Sequence, residues 1–241
     1  MTNLSIVIPV RNEAGNIIAL VNSIDSALAV HAPFEIIVVD DGSTDDTAQR
    51  VADRARTMQH LRLIRHDRSG GQSAAVHTGV LAALAPLVCT LDGDGQNPPE
   101  ELPNIAAPLL ADLTGRIGLV AGQRVGRRDT LSKRLASRIA NAIRGWLLQD
   151  GTRDTGCGLK AFRRDAFLAL PYFNHMHRYL PALFARDGWD IRLIDVTHRA
   201  RGAGRSNYSN IQRALVGSVD LFGVMWLLRR RKTARVIKST L

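Results

Sequence analysis

Short apolar runs rich in β-branched residues alternate along the chain with longer segments in which apolar residues recur every three or four positions. The short runs predict strands at Leu4–Val10, Glu35–Asp40, Leu61–Arg65, Leu87–Asp92, Ile117–Ala121 and Ile191–Val196. The longer segments predict helices at Glu13–Val30, Asp45–Met58, Gln72–Ala85, Pro99–Leu110, Thr130–Leu148 and Met176–Arg186. This alternation is typical of an α/β domain in which a parallel sheet carries helices on both faces.

Local signals refine these bounds. Ser43 and Thr44 are candidate N-caps for the second helix, because their hydroxyls can accept a hydrogen bond from the first helical turn. A glycine-rich stretch at Asp150–Gly158 and an Arg/Gly segment at Arg199–Asn207 separate the later elements. We find no internal repeat. The chain is therefore expected to form one domain over residues 1–208, followed by an extension over residues 209–241.

The extension has the pattern of an amphipathic helix. The apolar residues at helical spacing are Ile211, Leu215, Val219, Phe222 and Trp226. An apolar helix from Ala214 to Leu228 would reach about 22 Å, which is too short for a hydrocarbon core of about 30 Å. We expect it to lie at a membrane interface or to dock on a partner, with Arg229–Lys232 facing anionic headgroups. The alternative is a terminal helix that packs on its own domain.

Charge is concentrated in two blocks of this 241-residue chain, whose net charge is +10. Arg199 to the C-terminus contains ten Lys or Arg residues against one acid, and Arg116–Arg138 contains seven against one. A localised cationic surface indicates an anionic partner such as phosphorylated substrate, lipid headgroups or nucleic acid. A solvated surface that serves solubility is the alternative.

The two cysteines and the N-terminus indicate the compartment. Cys89 and Cys157 lack metal-ligand spacing and are expected to be buried thiols in a reducing environment. The first strand begins too early to leave room for a signal peptide, and no apolar stretch is long enough to span a membrane. We therefore expect a cytoplasmic protein that is peripheral on the cytoplasmic face of a membrane.

Polar residues follow three of the predicted strands, within Pro9–Glu13, Asp40–Ser43 and Asp92–Gln96. Ligands of open α/β sheets collect beyond the carboxyl ends of the strands, so these clusters predict a binding site. The first turn lacks the GxGxxG pattern of dinucleotide sites. Asp92 and Asp94 offer two hard carboxylates that suit Mg²⁺ or Mn²⁺ bridging a diphosphate. A plain surface turn rich in Asp and Gly is the alternative.

Five segments together resemble a known family: IVIPVRNE, EIIVVDDGSTDDT, LDGDGQNPPEEL, AGQR and DTGCGLKAFRR. They are similar to family 2 glycosyltransferases of the dolichol-phosphate mannosyltransferase or polyprenyl-phosphate sugar synthase type, and the resemblance extends over about Leu4–Tyr208. It implies a GT-A fold, a Rossmann-like nucleotide-sugar-binding sheet flanked by helices. It also implies inverting transfer of a sugar from GDP-mannose or a UDP-sugar to a polyprenyl or dolichyl phosphate.

The resemblance assigns roles by position. The donor-binding residues it implies are Pro9, Arg11, Glu13, Asp40, Asp41 and Gly42. The implied ligands of the metal and diphosphate are Asp92, Asp94 and Gln96. The implied acceptor-phosphate residues are Arg124, Lys133, Arg134, Ser137, Arg199, Arg201 and Ser206. Asn207 stands where the family usually has a lysine, so one expected positive charge is absent.

The candidate catalytic residues are Asp92, Asp94, Arg124 and Asp154. A phosphate monoester is largely dianionic near neutral pH and needs positioning and charge neutralisation more than a strong base. Asp154 is therefore either an orienting group or base, or a structural residue that hydrogen bonds the glycine-rich turn at Gly156–Gly158. His175, His177 and His198 have no metal-ligand spacing and are expected to be structural or surface residues.

The expected partners are a nucleotide-sugar donor, a polyprenyl-phosphate acceptor and a membrane surface. Many members of the family that this chain resembles have transmembrane helices at the position of the extension. This sequence shows none there, so a separate small integral membrane subunit is a further expectation. Two rivals remain. A nucleotidyltransferase usually has a Gly-rich loop with Arg or Lys after its first strand, whereas this chain has Pro-Val-Arg-Asn-Glu. A nucleic-acid binder is disfavoured because only 5% of residues are aromatic and no stacking motif accompanies the arginines.

Overall fold

The computed structural model describes residues 2–31, 33–125, 144–145, 147–148, 150–199 and 210–230. The strands of this part of the chain are β1 Leu4–Val10, β2 Phe34–Asp40, β3 Leu61–Arg65, β4 Leu87–Thr90, β5 Ile117–Arg124, β6 Lys160–Arg163 and β7 Asp190–Val196. They form one sheet in the order β3-β2-β1-β4-β6-β5-β7. The predicted α/β class with a helix-flanked sheet is confirmed.

The sheet is mixed and not wholly parallel. Neighbouring strands run parallel except at β6, which is antiparallel to both β4 and β5. The expectation of a parallel sheet was wrong at this strand, which the sequence pattern did not predict. Its four residues are too few to show the alternation of apolar and polar residues that predicts a strand. The glycines before it made the segment look like a loop.

The helices are α1 Ile17–Leu28, α2 Thr47–Ala55, α3 Gln72–Ala82, α4 Leu102–Leu110, α5 Arg164–Leu168, α6 Leu180–Arg186 and α7 Asn210–Leu228. Short 3₁₀ turns occupy Pro99–Glu101 and Met176–Arg178. The predicted helix Thr130–Leu148 lies outside the described residues except at 144, 145, 147 and 148, which are helical. The helix α5 was not predicted.

Alternate residues of each central strand enter different cores. Ile6 and Ile8 of β1 face the core that α1, α2 and α4 cover. Val7 faces the second core, which is covered by α3, α5, α6 and one face of α7. Helices cover both faces of the sheet, so the central strands β1, β2 and β4 are mostly apolar on both faces. The arrangement leaves the edge at the strand ends as the place where polar groups can collect.

The predicted N-caps of the second helix were wrong. Helix α2 begins at Thr47, and neither Ser43 nor Thr44 caps it. The hydroxyl of Ser43 accepts a hydrogen bond from the Asn12 N–H at 2.9 Å, and the Thr44 N–H donates to Asn12 Oδ1 at 2.8 Å. Both residues therefore connect the loop after β2 to the loop after β1. Asp45 takes over the role at the helix start and accepts from the Thr47 N–H.

Within the described residues, no helix has the length and apolar character needed to cross the hydrocarbon core of a membrane.

Candidate active site

Five strands deliver polar residues to one edge of the sheet. Strands β1, β2, β4 and β5 end there, and β6 begins there because it runs in the opposite direction. Lys160 is opposite Thr90 in the β4–β6 register and opposite Ala121 in the β5–β6 register. The antiparallel strand thus adds the start of its own sequence to the ends of its neighbours.

The loop after β1 is held by the loop after β2. Asn12 has a left-handed backbone (φ 56°) and binds Ser43 and Thr44 as described above. The Glu13 N–H donates to Thr47 Oγ1 at 2.8 Å, and Glu13 Oε2 accepts from Asn16 at 2.7 Å. Arg11 is exposed between these contacts. The predicted donor residues Arg11 and Glu13 therefore lie on a braced loop at the site edge.

The two acids after β2 occupy different environments. Asp40 is fully buried, and its Oδ1 accepts the Ser43 N–H at 3.0 Å. Within the described residues, its Oδ2 has no hydrogen-bond partner, and the Arg65 Nε lies 3.5 Å away. Gly42, with φ 69°, packs so closely on the backbone of Arg68 that a Cβ would lie 2.8 Å from its carbonyl carbon.

Asp41 braces the loop after β3. Its carboxylate accepts hydrogen bonds from His66 and Ser69, each at 2.7 Å, and from the N–H groups of Gly70 and Gly71, each at 2.8 Å. Burial raises the pKa of Asp41, but these four donors outweigh burial and lower it below its usual value. Both oxygens are occupied by the protein itself, and a role in binding the donor remains a prediction.

The carboxylate of Asp92 is enclosed. Gln72 donates to its Oδ1 at 2.7 Å, and Asn97 lies 3.4 Å from its Oδ2. A Cβ added to Gly158 would lie only 2.3 Å from the carboxyl carbon and oxygens, so glycine is needed there. Burial raises the pKa of Asp92, and the negative charge of Asp94 adds to that effect. The charges of Lys160 and Arg124 act in the opposite direction.

The second acid of the pair orients the same turn. Asp94 Oδ1 accepts the Gln96 N–H at 3.1 Å, and the Gln96 carbonyl accepts the Arg199 N–H at 2.9 Å. Two neighbouring carboxylates whose charges repel fit a divalent cation that also takes oxygens from a diphosphate. Within the described residues, no group of three His, Cys, Asp or Glu side chains is placed to hold a metal ion.

Arg124 and Asp154 form a partly buried ion pair beside this turn. Arg124 Nε and Nη2 donate to the two carboxylate oxygens of Asp154 at 2.5 and 2.9 Å. Asp154 Oδ1 also accepts the Gly156 N–H at 3.1 Å, so the structural alternative for Asp154 is observed. Gln123 Oε1 accepts the N–H groups of Arg153 and Asp154 at 2.9 and 3.0 Å. The pair is thereby fixed to the glycine-rich turn.

Lys160 is a site residue that the sequence analysis missed. It is buried at the start of β6, and its ammonium donates to the Cys157 carbonyl. Burial lowers the pKa of Lys160 below its usual value, and the nearby carboxylates of Asp92 and Asp154 offset this only in part. The signal was a single lysine within an apolar run after a glycine turn. It could be interpreted only once β6 was known.

A cavity of ≈ 330 Å³ opens beside Asp92. Its wall includes Gln72, Asp92, Lys160, His177 and Arg178. His177 Nδ1 lies 2.8 Å from the hydroxyl of Ser73, the residue after Gln72 on α3. The expectation that His177 is a satisfied structural histidine is thus met at one of its two nitrogens.

Several predicted acceptor residues lie outside the described residues: Lys133, Arg134, Ser137, Arg201 and Ser206. Arg199 is described and lies beside the Asp94 turn, where its Nη2 is 3.2 and 3.1 Å from the two carboxylate oxygens of Glu100. The expected buried thiols are found, because Cys89 and Cys157 are both buried and free. His175 Nδ1 pairs with Asp220 on α7 at 2.9 Å.

Helix α7 has one packed face and one exposed face. Val224 is buried in the second core, and Leu221, Met225 and Leu228 pack against it. On the other face, Val219, Phe222 and Trp226 are 72%, 69% and 60% exposed. The expectation that the helix packs on its own domain therefore holds for one face only. We call Val219, Phe222 and Trp226 the apolar stripe.

Comparison with known proteins identifies what this arrangement resembles. The family model described as Glycosyl transferase family 2 matches residues 5–170. The chain is 34% identical over 234 residues to the dodecaprenyl-phosphate galacturonate synthase of Rhizobium johnstonii, covering 94% of this chain and 67% of that protein. It is 34% identical over 214 residues to the undecaprenyl-phosphate 4-deoxy-4-formamido-L-arabinose transferase of Pectobacterium carotovorum, covering 86% of this chain and 63% of that protein. The chain thus spans about two thirds of the length of these relatives.

Among solved structures, the fold is similar to glucosyl-3-phosphoglycerate synthase from Mycobacterium tuberculosis, solved with Mn²⁺, UDP and glucosyl-3-phosphoglycerate. The TM-score is 0.69 at 22% identity, covering 94% of this chain and 80% of that one. A second structure of that enzyme, with Mn²⁺ and UDP-glucose, also gives a TM-score of 0.69, at 21% identity. At these identities the similarity establishes the fold, a GT-A-like sheet with flanking helices.

Proposed function

The chain belongs to glycosyl transferase family 2, and we propose that it transfers a sugar from a nucleotide-diphosphate sugar to the phosphate of a polyprenyl lipid. The observation that carries the proposal is that two acids, Asp92 and Asp94, and two cations, Arg124 and Lys160, lie close enough at one sheet edge to interact electrostatically. The acids suit a metal-bound diphosphate, and the cations suit a second phosphate. The relatives named for dodecaprenyl and undecaprenyl phosphate support this acceptor class.

The proposed reaction is a single displacement. An oxygen of the acceptor phosphate forms a bond to the anomeric carbon of the sugar, and the bond from that carbon to the nucleoside diphosphate breaks. The leaving diphosphate takes the electron pair, and the configuration inverts. The phosphate oxygen carries negative charge near neutral pH, so no residue has to remove a proton from it.

The site residues take separate proposed roles. A Mg²⁺ or Mn²⁺ ion held by Asp92, Asp94 and Gln96 would offset the charge that develops on the departing diphosphate. Arg124 binds the acceptor phosphate, because a guanidinium forms bidentate bonds with phosphate and keeps its charge. Asp154 orients Arg124 through the observed pair. The loops with Arg11, Glu13, Asp40 and Asp41 hold the base and ribose of the donor, which is a GDP-sugar or a UDP-sugar.

The apolar stripe of α7 is proposed to contact the membrane in which the acceptor lies. Its opposite face is already buried, so the stripe is available as a surface of the folded domain. Arg229 and Arg230 follow it and are exposed, and the Arg230 guanidinium lies 5.7 Å from the Trp226 ring centroid. Aromatic residues next to arginines are typical of helices at anionic interfaces. We accordingly propose a catalytic domain over residues 1–208 and a docking extension over 209–241, peripheral on the cytoplasmic face.

The function is tested by offering UDP-glucose, UDP-galacturonate and GDP-mannose, each with geranyl phosphate and MgCl₂ or MnCl₂. The expected product is a geranyl phosphate that carries the sugar, with release of the nucleoside diphosphate. Asp94→Asn serves as the inactive control. Release of pyrophosphate from a nucleoside triphosphate and a sugar 1-phosphate, offered in a separate assay, would instead indicate a nucleotidyltransferase. Sugar release without transfer to geranyl phosphate would contradict the proposed acceptor.

A further inference from the structure

Two consecutive residues at the start of α3 connect the Asp92 carboxylate to a histidine across the cavity. Gln72 Nε2 donates to Asp92 Oδ1 at 2.7 Å, and the hydroxyl of Ser73 lies 2.8 Å from His177 Nδ1. The ≈ 330 Å³ cavity between them is large enough for the smaller class of ligand sites. A group bound at Asp92 therefore has its neighbouring atoms in this cavity.

The hydrogen bonds of Ser73 determine which nitrogen of His177 carries the proton. The Ser73 oxygen accepts the backbone N–H of His177 at 3.3 Å. Within the described residues, the only acceptor for the Ser73 hydroxyl proton is His177 Nδ1. A neutral imidazole has one donor and one acceptor nitrogen, so an accepting Nδ1 leaves the proton on Nε2. This tautomer is assigned from the hydrogen-bond network.

His177 lines the cavity. Ser73 is the only hydrogen-bond partner of the His177 ring within the part of the chain that the structure describes. The residue is part of the cavity wall, and its ring nitrogens do not belong to the buried unpaired atoms of the described residues. Nε2–H is thus a donor that a bound molecule can use.

We propose that His177 contacts the donor sugar, giving a hydrogen bond from Nε2–H to a hydroxyl or other oxygen substituent of the ring. The inference rests on the proposed function, because it takes the cavity beside Asp92 as the place of the sugar that the diphosphate carries. His177 would thus recognise the sugar and is separate from the residues assigned to the nucleoside, the metal and the acceptor phosphate.

The surroundings of the ring favour the neutral form that this contact needs. Burial lowers the pKa of His177 well below its usual value, and the nearby cations Lys160 and Arg178 act in the same direction. A neutral ring keeps Nδ1 as an acceptor for Ser73 and Nε2–H as a donor. The contact is consequently expected to be the same at pH values on either side of neutrality.

The test compares two amides in place of the imidazole. In His177→Gln the side-chain amide can reach the position of Nε2, whereas in His177→Asn it can reach only the position of Nδ1. UDP-glucose, UDP-galacturonate and GDP-mannose are titrated calorimetrically with MnCl₂, each beside its own diphosphate, UDP or GDP. His177→Ala and Ser73→Ala complete the series, and His31→Ala at an exposed site is the matched control.

The expected result is a loss specific to the sugar. His177→Ala should weaken binding of the preferred nucleotide sugar by about tenfold and leave its diphosphate unchanged, since one hydrogen bond is lost. His177→Gln should recover most of that loss, and His177→Asn should not. Ser73→Ala should give a smaller loss, because the ring then loses its fixed tautomer. Unchanged binding of UDP or GDP also shows that each variant is folded.

Equal weakening of nucleotide sugar and diphosphate would overturn the proposal, as would equal behaviour of the Gln and Asn variants. The failure of the proposed function has a different signature. There, the His177 contrast in binding would persist while no sugar is transferred to geranyl phosphate.

Discussion

Arg124 places two nitrogens, Nε and Nη2, on the two carboxylate oxygens of Asp154 at 2.5 and 2.9 Å. Asp154 in turn accepts the Gly156 N–H. The guanidinium thus already has a bidentate carboxylate partner where an acceptor phosphate is proposed to bind. Because the pair is oriented by its backbone contact, it can act as a unit, and neither residue should be replaceable alone.

We expect Arg124→Ala and Asp154→Ala each to lower kcat/KM for the acceptor by about ten- to a hundredfold, as charge-assisted contacts are worth roughly 1.5–3 kcal/mol. The double variant should lose little more than either single one, because residues in direct contact are non-additive. Acceptor kinetics at saturating donor measure this. Arg163→Ala, which removes an ion pair with Asp112, is the control. Additive losses, or a selective loss of nucleotide affinity, would show that the pair does not serve the acceptor.

Asp94→Asn should abolish the metal-dependent part of nucleotide binding and leave the fold intact, because the residue lies on a partly exposed turn. The measurement is the thermal shift produced by UDP or GDP with and without MnCl₂. Asp190→Asn, which lies on the first residue of β7, is the control. A variant that keeps the full MnCl₂-dependent shift, or wild-type turnover that persists in EDTA, would remove the metal from the site.

Gly158→Ala should inactivate the enzyme with only a modest loss of stability. The new Cβ would lie 2.3 Å from the Asp92 carboxylate, which must then move away from Gln72. A shift of about 1 Å at a reacting centre can cost about a hundredfold in rate. Turnover and melting temperature are compared with those of Gly15→Ala, where no atom lies within 4 Å of the added carbon. Equal turnover in the two variants would argue against the close packing of Gly158 on Asp92.

Glu35, which lies at the sheet edge opposite the site, should make the free energy of unfolding depend on pH. Burial raises its pKa, but donors from Ser5, the Leu84 N–H and Arg62 outweigh burial and lower it below 4.5. A lowered folded pKa stabilises the protein above the unfolded value, and this stabilisation is lost as the pH falls through the folded value.

Glu35→Gln should therefore be less stable than wild type near neutral pH by about 1–3 kcal/mol. The difference should narrow at pH values below 4.5. Urea unfolding over a pH series measures it, with Asp53→Asn as the control at an exposed ion pair. A difference that stays constant across the series would mean that the Glu35 charge does not contribute to folding stability.

Replacing Phe222 and Trp226 with serine should separate membrane docking from catalysis. Turnover with the water-soluble geranyl phosphate should be unchanged, because the stripe is exposed and α7 packs on the domain through its other face. Turnover with undecaprenyl phosphate in anionic vesicles, and sedimentation with those vesicles, should fall. Leu113→Ser, at an almost fully exposed leucine, is the control. Equal loss with both acceptors would make the stripe part of the domain's stability. No loss with either would point to another occupant, such as a protein partner.

Much of the fold could be predicted from the sequence because its central strands are buried on both faces. The runs Leu4–Val10 and Leu61–Arg65 were predicted with the bounds observed. Helix starts were less certain, because Ser43 and Thr44 have the chemistry of N-caps and yet bind the neighbouring loop. A side-chain hydroxyl can bond either the first turn of a helix or a neighbouring loop, and the sequence alone does not show which of the two it bonds.

The site could be predicted only as far as it lies directly after predicted strands. Asp40 and Asp92 were identified in this way, since parallel strands end at one edge. Lys160 and Ser73 were not, because their positions depend on strand direction and on packing between distant segments. His177 was recognised as structural, but its second nitrogen became interpretable only with the cavity. These contacts join residues separated by as many as 104 positions, and no local period reports them.

The reversed direction of β6 has a consequence for how such a chain can diversify. Strand β5 ends at the site edge with Arg124, and β6 begins at that same edge with Lys160. The connection between them therefore leaves and re-enters the sheet on the side of the substrates. Within this connection, Asp154 is fixed by its contact with Arg124 and Gly158 by its close packing on Asp92. Exchanging the part of this connection that precedes Asp154 between relatives should thus alter which acceptor is accepted, while Asp154, Gly158 and the nucleotide-binding loops are kept.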